Sequence, residues 1–558
     1  MREKFSTQPR EPVTGGSRLT KIAGTYPVPR IIYNDDSCTL RTAPPPHTVE
    51  SLSCALDYLK GAQVDCLCWC VGMQFAYSWP SKVIENIYDL LAKGRSLDAG
   101  WDGARDIMHS LHRQGIDYLP LLIRQAHAQG LMFLASFRMN DTHVKSYPNG
   151  MLAPEFWKTH QHYRLWDATD AKSYYNAALD YSHPEVRNHY RDAIAEVATE
   201  YDVDGIELDF TRSPYFFQPS EAWRKRAILT RFVRDIRDTL ERIGARRKRP
   251  LTLILRIPCL ERALVTAGID AKQWIKEQLA PILVISELVN NYNQNIEPWR
   301  TLCRQAGVLL YPAVEVGPAY MKADFYSPLV RNPLAPRHDG NIPLTLDENL
   351  RMQRAAAQNL LAQQPDGIYL FNFPIRLAEE KNIMHTDQAA FRRVTSVLRE
   401  MGRLKTLARK EKRYTFYKDL PIYVEANRPR RFHQTIPFTI RGQDIRAAKV
   451  TLRFRQIAER NPHADGNYRQ NPIVPPGLLQ NYLNDRKLAG RELKKTRAPA
   501  GRIPSGFLLK AHEIVELRVS GRALRDGENT LAFEMPHFPN ERDPYVYIYE
   551  LEADVSFR

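Results

Sequence analysis

Residues 178–216 read ALDYSHPEVRNHYRDAIAEVATEYDVDGIELDFTRSPYF, and this stretch decides the fold. Its first part has helical grammar, with Ser182 placed to cap and His183-Pro184-Glu185 in the first turn of a helix running to Tyr201. Its second part, VDGIELDF from Val203, is a short strand-like run. Asp204-Gly205 makes a tight entry into that strand, because glycine tolerates the backbone such a turn needs. At period two, Ile206, Leu208 and Phe210 face a helical layer, while Glu207 and Asp209 share the opposite, inward face. Two carboxylates about 7 Å apart along one strand put the second at the strand's C-terminal end.

The same alternation extends in both directions. Further runs are RIIYNDD from Arg30, VDCLCWCVG from Val64, LMFLASFRMND from Leu131, LTLILRI from Leu251, ILVISELV from Ile282, VLLYPAVEV from Val308 and GIYLFNF from Gly367. Helical segments separate them, among them Asp347 to Gln364. Eight strand–helix units predict an α/β fold, a closed (β/α)₈ TIM barrel, over residues 30–405. Residues 1–29 form an N-terminal extension. After about Arg413 the helical period stops, and short alternating strands such as AAKVTLRFRQI and YVYIYELEADVSF predict a C-terminal all-β sandwich over 406–558. A Pro/Asn/Arg-rich stretch from Ala458 to Pro504 reads as a long loop or insertion in it. A sandwich of this kind either binds glycan or braces the barrel, and bracing is the favoured reading.

Composition excludes several classes. The chain has 558 residues, of which 43% are hydrophobic and 10% aromatic, which is globular rather than disordered or fibrous. No apolar stretch approaches the roughly 20 residues that span a bilayer, so no membrane partner is expected. Met1 to Gly24 contains no apolar segment of the secretory kind. A cytoplasmic location is expected as the sequence stands, and a periplasmic or secreted one if its start is misassigned. Seven cysteines lack a CxxC pair, and Cys66, Cys68 and Cys70 share one strand face as small buried hydrophobes. The histidines are dispersed and show no HExxH set, so neither metal nor cofactor is expected. The net charge of +16 is scattered over clusters without a nucleic-acid signature. It reads as a solvated basic surface or as preference for an acidic polymer such as a uronate- or sulfate-bearing glycan, and no nucleic-acid partner is expected.

Polar and ionisable residues gather at the C-terminal ends of the eight runs. They are Asn34, Asp35 and Asp36; Arg138, Asn140, Asp141 and His143; Glu207, Asp209 and Arg212; Glu287 and Asn290 to Tyr292; Glu315; and Asn372. A closed barrel brings these ends to one face, where active sites of this fold are built. A purely structural barrel would not bury such a ring, since an unpaired buried charge costs several kcal/mol.

The opening stretch resembles the fourth-strand region of the glycosyl-hydrolase-like family 10 and its barrel relatives. There a "D…PEVR" helix leads into "YDVDGI", an acid three residues on, and then an arginine and a proline. Asp180, Pro184, Glu185, Val186, Arg187, Tyr201, Asp202, Val203, Asp204, Gly205, Ile206, Asp209, Arg212 and Pro214 carry the resemblance. It implies a TIM-barrel glycoside hydrolase with a carbohydrate substrate. The stretch is also similar to the chitinase signature DGxDxDxE, on Asp204, Gly205, Glu207 and Asp209, but Thr211 stands where that family keeps its acid. Threonine cannot protonate a leaving oxygen at neutral pH, so the chitinase mechanism is not supported.

Glycoside hydrolysis uses two carboxyl groups, about 5–5.5 Å apart for retention or 6.5–9.5 Å for inversion. Asp209 is the first candidate. Glu315 leads for the second, followed by Glu287 and Asp141, while Glu207 reads either as catalytic or as a structural partner of Arg256. Asp35, Trp69, Arg138, Asn140, Asp141, His143, Arg212, Arg256, Asn290, Tyr292 and Asn372 are the candidate substrate-binding residues, the amides for hydroxyls, the rings for stacking and the arginines for carboxylate or sulfate. Two other readings stay open: a non-catalytic glycan-binding barrel, and an intracellular barrel lyase or isomerase.

Overall fold

In a computed structural model, the described residues are 21–22, 26–41, 46–73, 76–95, 107–145, 148–150, 152–166, 174–287, 291–315, 345–380, 383–416, 420, 422–424, 434–459, 470–471, 474, 479–503, 508–509, 511–535 and 545–557. Eight parallel strands close on themselves: β1 (Ile31–Asp35), β2 (Val64–Met73), β3 (Met132–Arg138), β4 (Gly205–Asp209), β5 (Thr252–Pro258), β6 (Ile282–Ser286), β7 (Leu309–Val314) and β8 (Ile368–Phe371). Each pairs with the next, and β8 pairs back to β1 with Ile368 beside Ile31 and Phe371 beside Asn34. All eight runs read from the sequence are strands of this barrel. Pro29 anchors the end of the N-terminal extension by accepting a hydrogen bond from the Tyr311 hydroxyl at 2.7 Å.

Two apolar layers hold the barrel. The inside is filled by alternate strand residues, among them Ile32, Cys66, Leu134, Ile254, Val284 and Tyr311. The outside packs on helices, and Ile206, Leu208 and Phe210 join that layer as their period predicted. The helix Pro184–Glu200 (α1) buries Val186, Tyr190, Ala193, Ile194, Val197 and Ala198, a stripe at three- and four-residue spacing. Its N-cap is His183 rather than Ser182. Asp180 instead turns the chain by accepting the Ser182 amide at 2.7 Å. Gly205 is required by close approach: a Cβ there would sit 2.1 Å from the Thr252 carbonyl oxygen. The helix read as Asp347 to Gln364 is Leu346–Leu361 (α2), started by a Thr345–Glu348 capping box.

Beyond the barrel come β9 (Lys412–Phe416), β10 (Ile422–Val424), β11 (Thr435–Ile440), β12 (Lys449–Glu459), β13 (Gln480–Leu483), β14 (Arg486–Lys487), β15 (Leu493–Ala498), β16 (His512–Ser520), β17 (Gly527–Glu534) and β18 (Tyr545–Ser556). One antiparallel sheet runs β9-β18-β12-β16-β15, with β10 also on β18; the other runs β11-β17-β13-β14. The stretch 458–504, expected to be an irregular insertion, thus contributes β13, β14 and β15 to these sheets. Its strands escaped notice because β15, LKKTRA, is a mostly exposed edge strand without an apolar face. Helix α2 ties the two parts together. Asn359 donates to the Tyr292 and Thr439 carbonyls at 2.9 and 2.7 Å, and Arg413 pairs with Glu348 at 2.6 Å. Among the described residues no helix is long and apolar enough to cross a membrane.

Candidate active site

The register of β3, β4 and β5 explains the site. Ser136, Glu207 and Ile254 lie side by side in one layer, and Arg138, Asp209 and Arg256 in the next layer toward the C-terminal face. Arg256, fully buried, places Nη1 3.0 Å from Asp209 and Nη2 3.1 Å from Glu315, the first residue past β7. Its plane lies over Phe371 at 4.2 Å. The Ser286 hydroxyl donates to Glu315, and Gln353 fixes the Glu315 carbonyl at 3.0 Å. Asp209 also accepts the amides of Thr211 and Arg212, at 2.8 and 3.4 Å, so the acid shapes the loop after its own strand. One guanidinium bridging both acids keeps them closer than the about 9.5 Å limit of inverting glycosidases.

Arg138 organises a second cluster, pairing with Asp36 and with Asp141, which also binds the His143 ring. Burial works against ionising Asp36, but the Arg138 and Arg212 guanidiniums and Asn372 outweigh it and hold the carboxyl well below its usual range. Asp141 is held down similarly, against burial, by His143 and Arg138. Asn372 accepts the Asp36 amide at 2.7 Å and returns its own amide to that carboxylate. It does so from left-handed backbone, φ 56°, which asparagine tolerates better than most residues.

Glu207 sits deeper. Asn34 donates to it at 3.0 Å. Burial, and then the charge of Asp209, push its carboxyl up to about 7. The expected ion pair with Arg256 is not formed, because Arg256 is level with Asp209 and pairs with Asp209 and Glu315 instead.

Several of the expected contact residues have partners within the protein. Asp35 points outward and accepts from Thr39 and Tyr58, since period two from the interior residue Ile32 selects Asn34 and Asp36. Trp69 is buried in the helical layer, its indole donating to Tyr118 at 3.3 Å. Asn140 serves backbone, accepting the Leu179 amide and donating to the carbonyls of Leu179 and Tyr215. Tyr292 packs against Tyr414 and Phe416, under the sandwich. Glu287 is one position past the inward-facing Ser286 and accepts from Asn291 at 3.0 Å. Asn290 lies outside the described residues. Asp36, Ser136 and Ser286 also belong to these clusters. The inward period of their strands marks all three, but serines in apolar runs draw no attention. Among the described residues no group of three or more metal ligands occurs, although His160 and His162 stand two apart with rings 5.8 Å from each other.

This geometry is accompanied by a sequence match. Residues 83–231 match the family described as glycosyl hydrolase-like 10. The matched residues include Arg138, Asp141, Glu207, Asp209 and Arg212; Asp36, Arg256 and Glu315 lie outside the match. No curated protein matches the sequence. The structure is similar to that of a Paenibacillus cycloisomaltooligosaccharide glucanotransferase, at 10% identity and TM-score 0.30 over 94% of this chain, which spans 57% of that one. It is similar to an Anoxybacillus α-amylase, at 12% identity and TM-score 0.37 over 92% of this chain and 99% of the other. A third is the maltogenic α-amylase of Thermotoga neapolitana, at 12% identity and TM-score 0.35 over 91% of this chain and 99% of the other.

Proposed function

We propose that this chain is a glycoside hydrolase that cleaves a glycosidic bond in an oligo- or polysaccharide, with Asp209 and Glu315 as its carboxyl pair. The supporting observation is that Arg256 holds both acids, from strands on different sides of the barrel, at the C-terminal mouth. Thr211 cannot supply a proton, and among acids on other strands Glu315 is the one that Arg256 brings beside Asp209. The arginine fixes both side chains before substrate arrives, which is the preorganisation such chemistry needs.

A second assignment within the same reaction is favoured by one observation. Glu207 has the raised pKa of a proton donor, about 7. Against it stands depth, since Glu207 is one inward position below Asp209 along β4. Arg138 and Arg256 do not favour an acidic substrate, because each is matched to two acids.

The test is hydrolysis of a panel of neutral and acidic glycans by wild type and Asp209→Asn. Release of reducing ends from at least one glycan by wild type, lost in the variant, is expected. A folded wild type that binds a panel member without cleaving it would make the barrel a binding module.

A further inference from the structure

The sandwich carries a feature that the barrel chemistry does not use. Residues 484–502, NDRKLAGRELKKTRAPAGR, hold seven Lys/Arg and two Asp/Glu, in a chain whose net charge is +16. The fold concentrates them. β14 is the last strand of one sheet and β15 the last strand of the other, and the chain passes directly between them. Arg486, Lys487, Arg491, Lys494, Lys495 and Arg497 are all exposed along this rim. Glu492 pairs with Arg486 at 2.9 Å, and Lys495 stands 3.8 Å from Glu513. Glu513 and Glu516 on the neighbouring β16 are engaged elsewhere, by Gln456 at 2.7 Å and by Arg453 at 2.9 Å.

We propose that this basic rim binds an acidic polysaccharide, which the six cations grip through its carboxylate groups. The choice of polymer rests on the carbohydrate reading of the barrel; the charge of the ligand rests on the rim alone. Lysines on an edge strand also discourage strand-to-strand aggregation. That purpose concerns the edge strands alone, whereas here cations cover the terminal strands of both sheets and the turn between them. Single-stranded nucleic acid fits less well, because the stretch contains no aromatic side chain on which a base could stack. A membrane surface fits less well too, because Leu488 is buried and Leu493 half-buried, leaving no apolar side chain to insert.

The experiment measures binding of the full chain to polygalacturonate, neutral dextran and duplex DNA at about 50 and 200 mM salt. Expected is binding to polygalacturonate but not dextran, weakening at least about 10-fold between the two salts through screening and counterion release. The variant Lys487→Gln/Arg491→Gln/Lys494→Gln/Arg497→Gln should weaken binding at least 10-fold. Removing four exposed cations elsewhere, Lys60→Gln/Lys82→Gln/Arg224→Gln/Lys272→Gln, changes the net charge equally and should leave binding within about twofold. Equal loss in both variants, binding no better than to dextran, or tighter binding to DNA would overturn the proposal. Asp209→Asn should bind polygalacturonate as wild type does, so loss of hydrolysis and loss of rim binding are separate outcomes.

Discussion

Replacing Glu207 by glutamine should make the protein less sensitive to alkali. The Glu207 side chain is fully buried, accepts from Asn34, and has a carboxyl raised from 4.5 to about 7 by burial and by Asp209. The folded state therefore holds this proton more tightly than the unfolded chain does. The stability it contributes is fully present below about pH 4.5 and is lost as pH rises through about 7. A rise of that size corresponds to about 3 kcal/mol between the two ends of the range. Glutamine keeps the shape and an oxygen for Asn34 but has no proton to lose. Melting of wild type and Glu207→Gln should be compared from pH 5 to 8.5. The variant should gain on wild type by about 2–3 kcal/mol across that range, a few degrees in a chain of this length. A difference between the two proteins that stays constant with pH would refute the reasoning.

Arg256→Met should cost about 3–5 kcal/mol at pH 7, because it leaves Asp209 and Glu315 buried without their shared cation. Thermal melting against wild type is the check, and an unchanged Tm would contradict it. Gly205→Ala should prevent accumulation of folded protein, since the new Cβ would meet the Thr252 carbonyl oxygen at 2.1 Å; near-wild-type melting would show that β4 and β5 can separate freely.

The barrel was legible because its strands are short apolar runs whose polar residues fall at their C-terminal ends. Asp209 was legible from period two and from its place after Asp204-Gly205. The partner of Arg256 was not. Choosing between Glu207 and Asp209 needs the register between β4 and β5, which one sequence does not contain. Asp35 was preferred to Asp36 although two-residue alternation from Ile32 pointed to Asp36. Trp69 and Tyr292 looked like stacking platforms because an aromatic near a strand end has the same sequence whether it faces a ligand or a helix. The strands hidden in 458–504 lie at sheet edges, where side chains follow charge rather than an apolar alternation.

The most direct test of the carboxyl pair is kcat of Asp209→Asn, Glu315→Gln and the double variant on the glycan that wild type cleaves best. Each single change should lower kcat at least about 10³-fold, near 4 kcal/mol, and the double change should lose little more, as expected of groups acting as one unit. Full activity in folded Asp209→Asn, or a loss confined to Glu207→Gln, would contradict the assignment of Asp209 and Glu315.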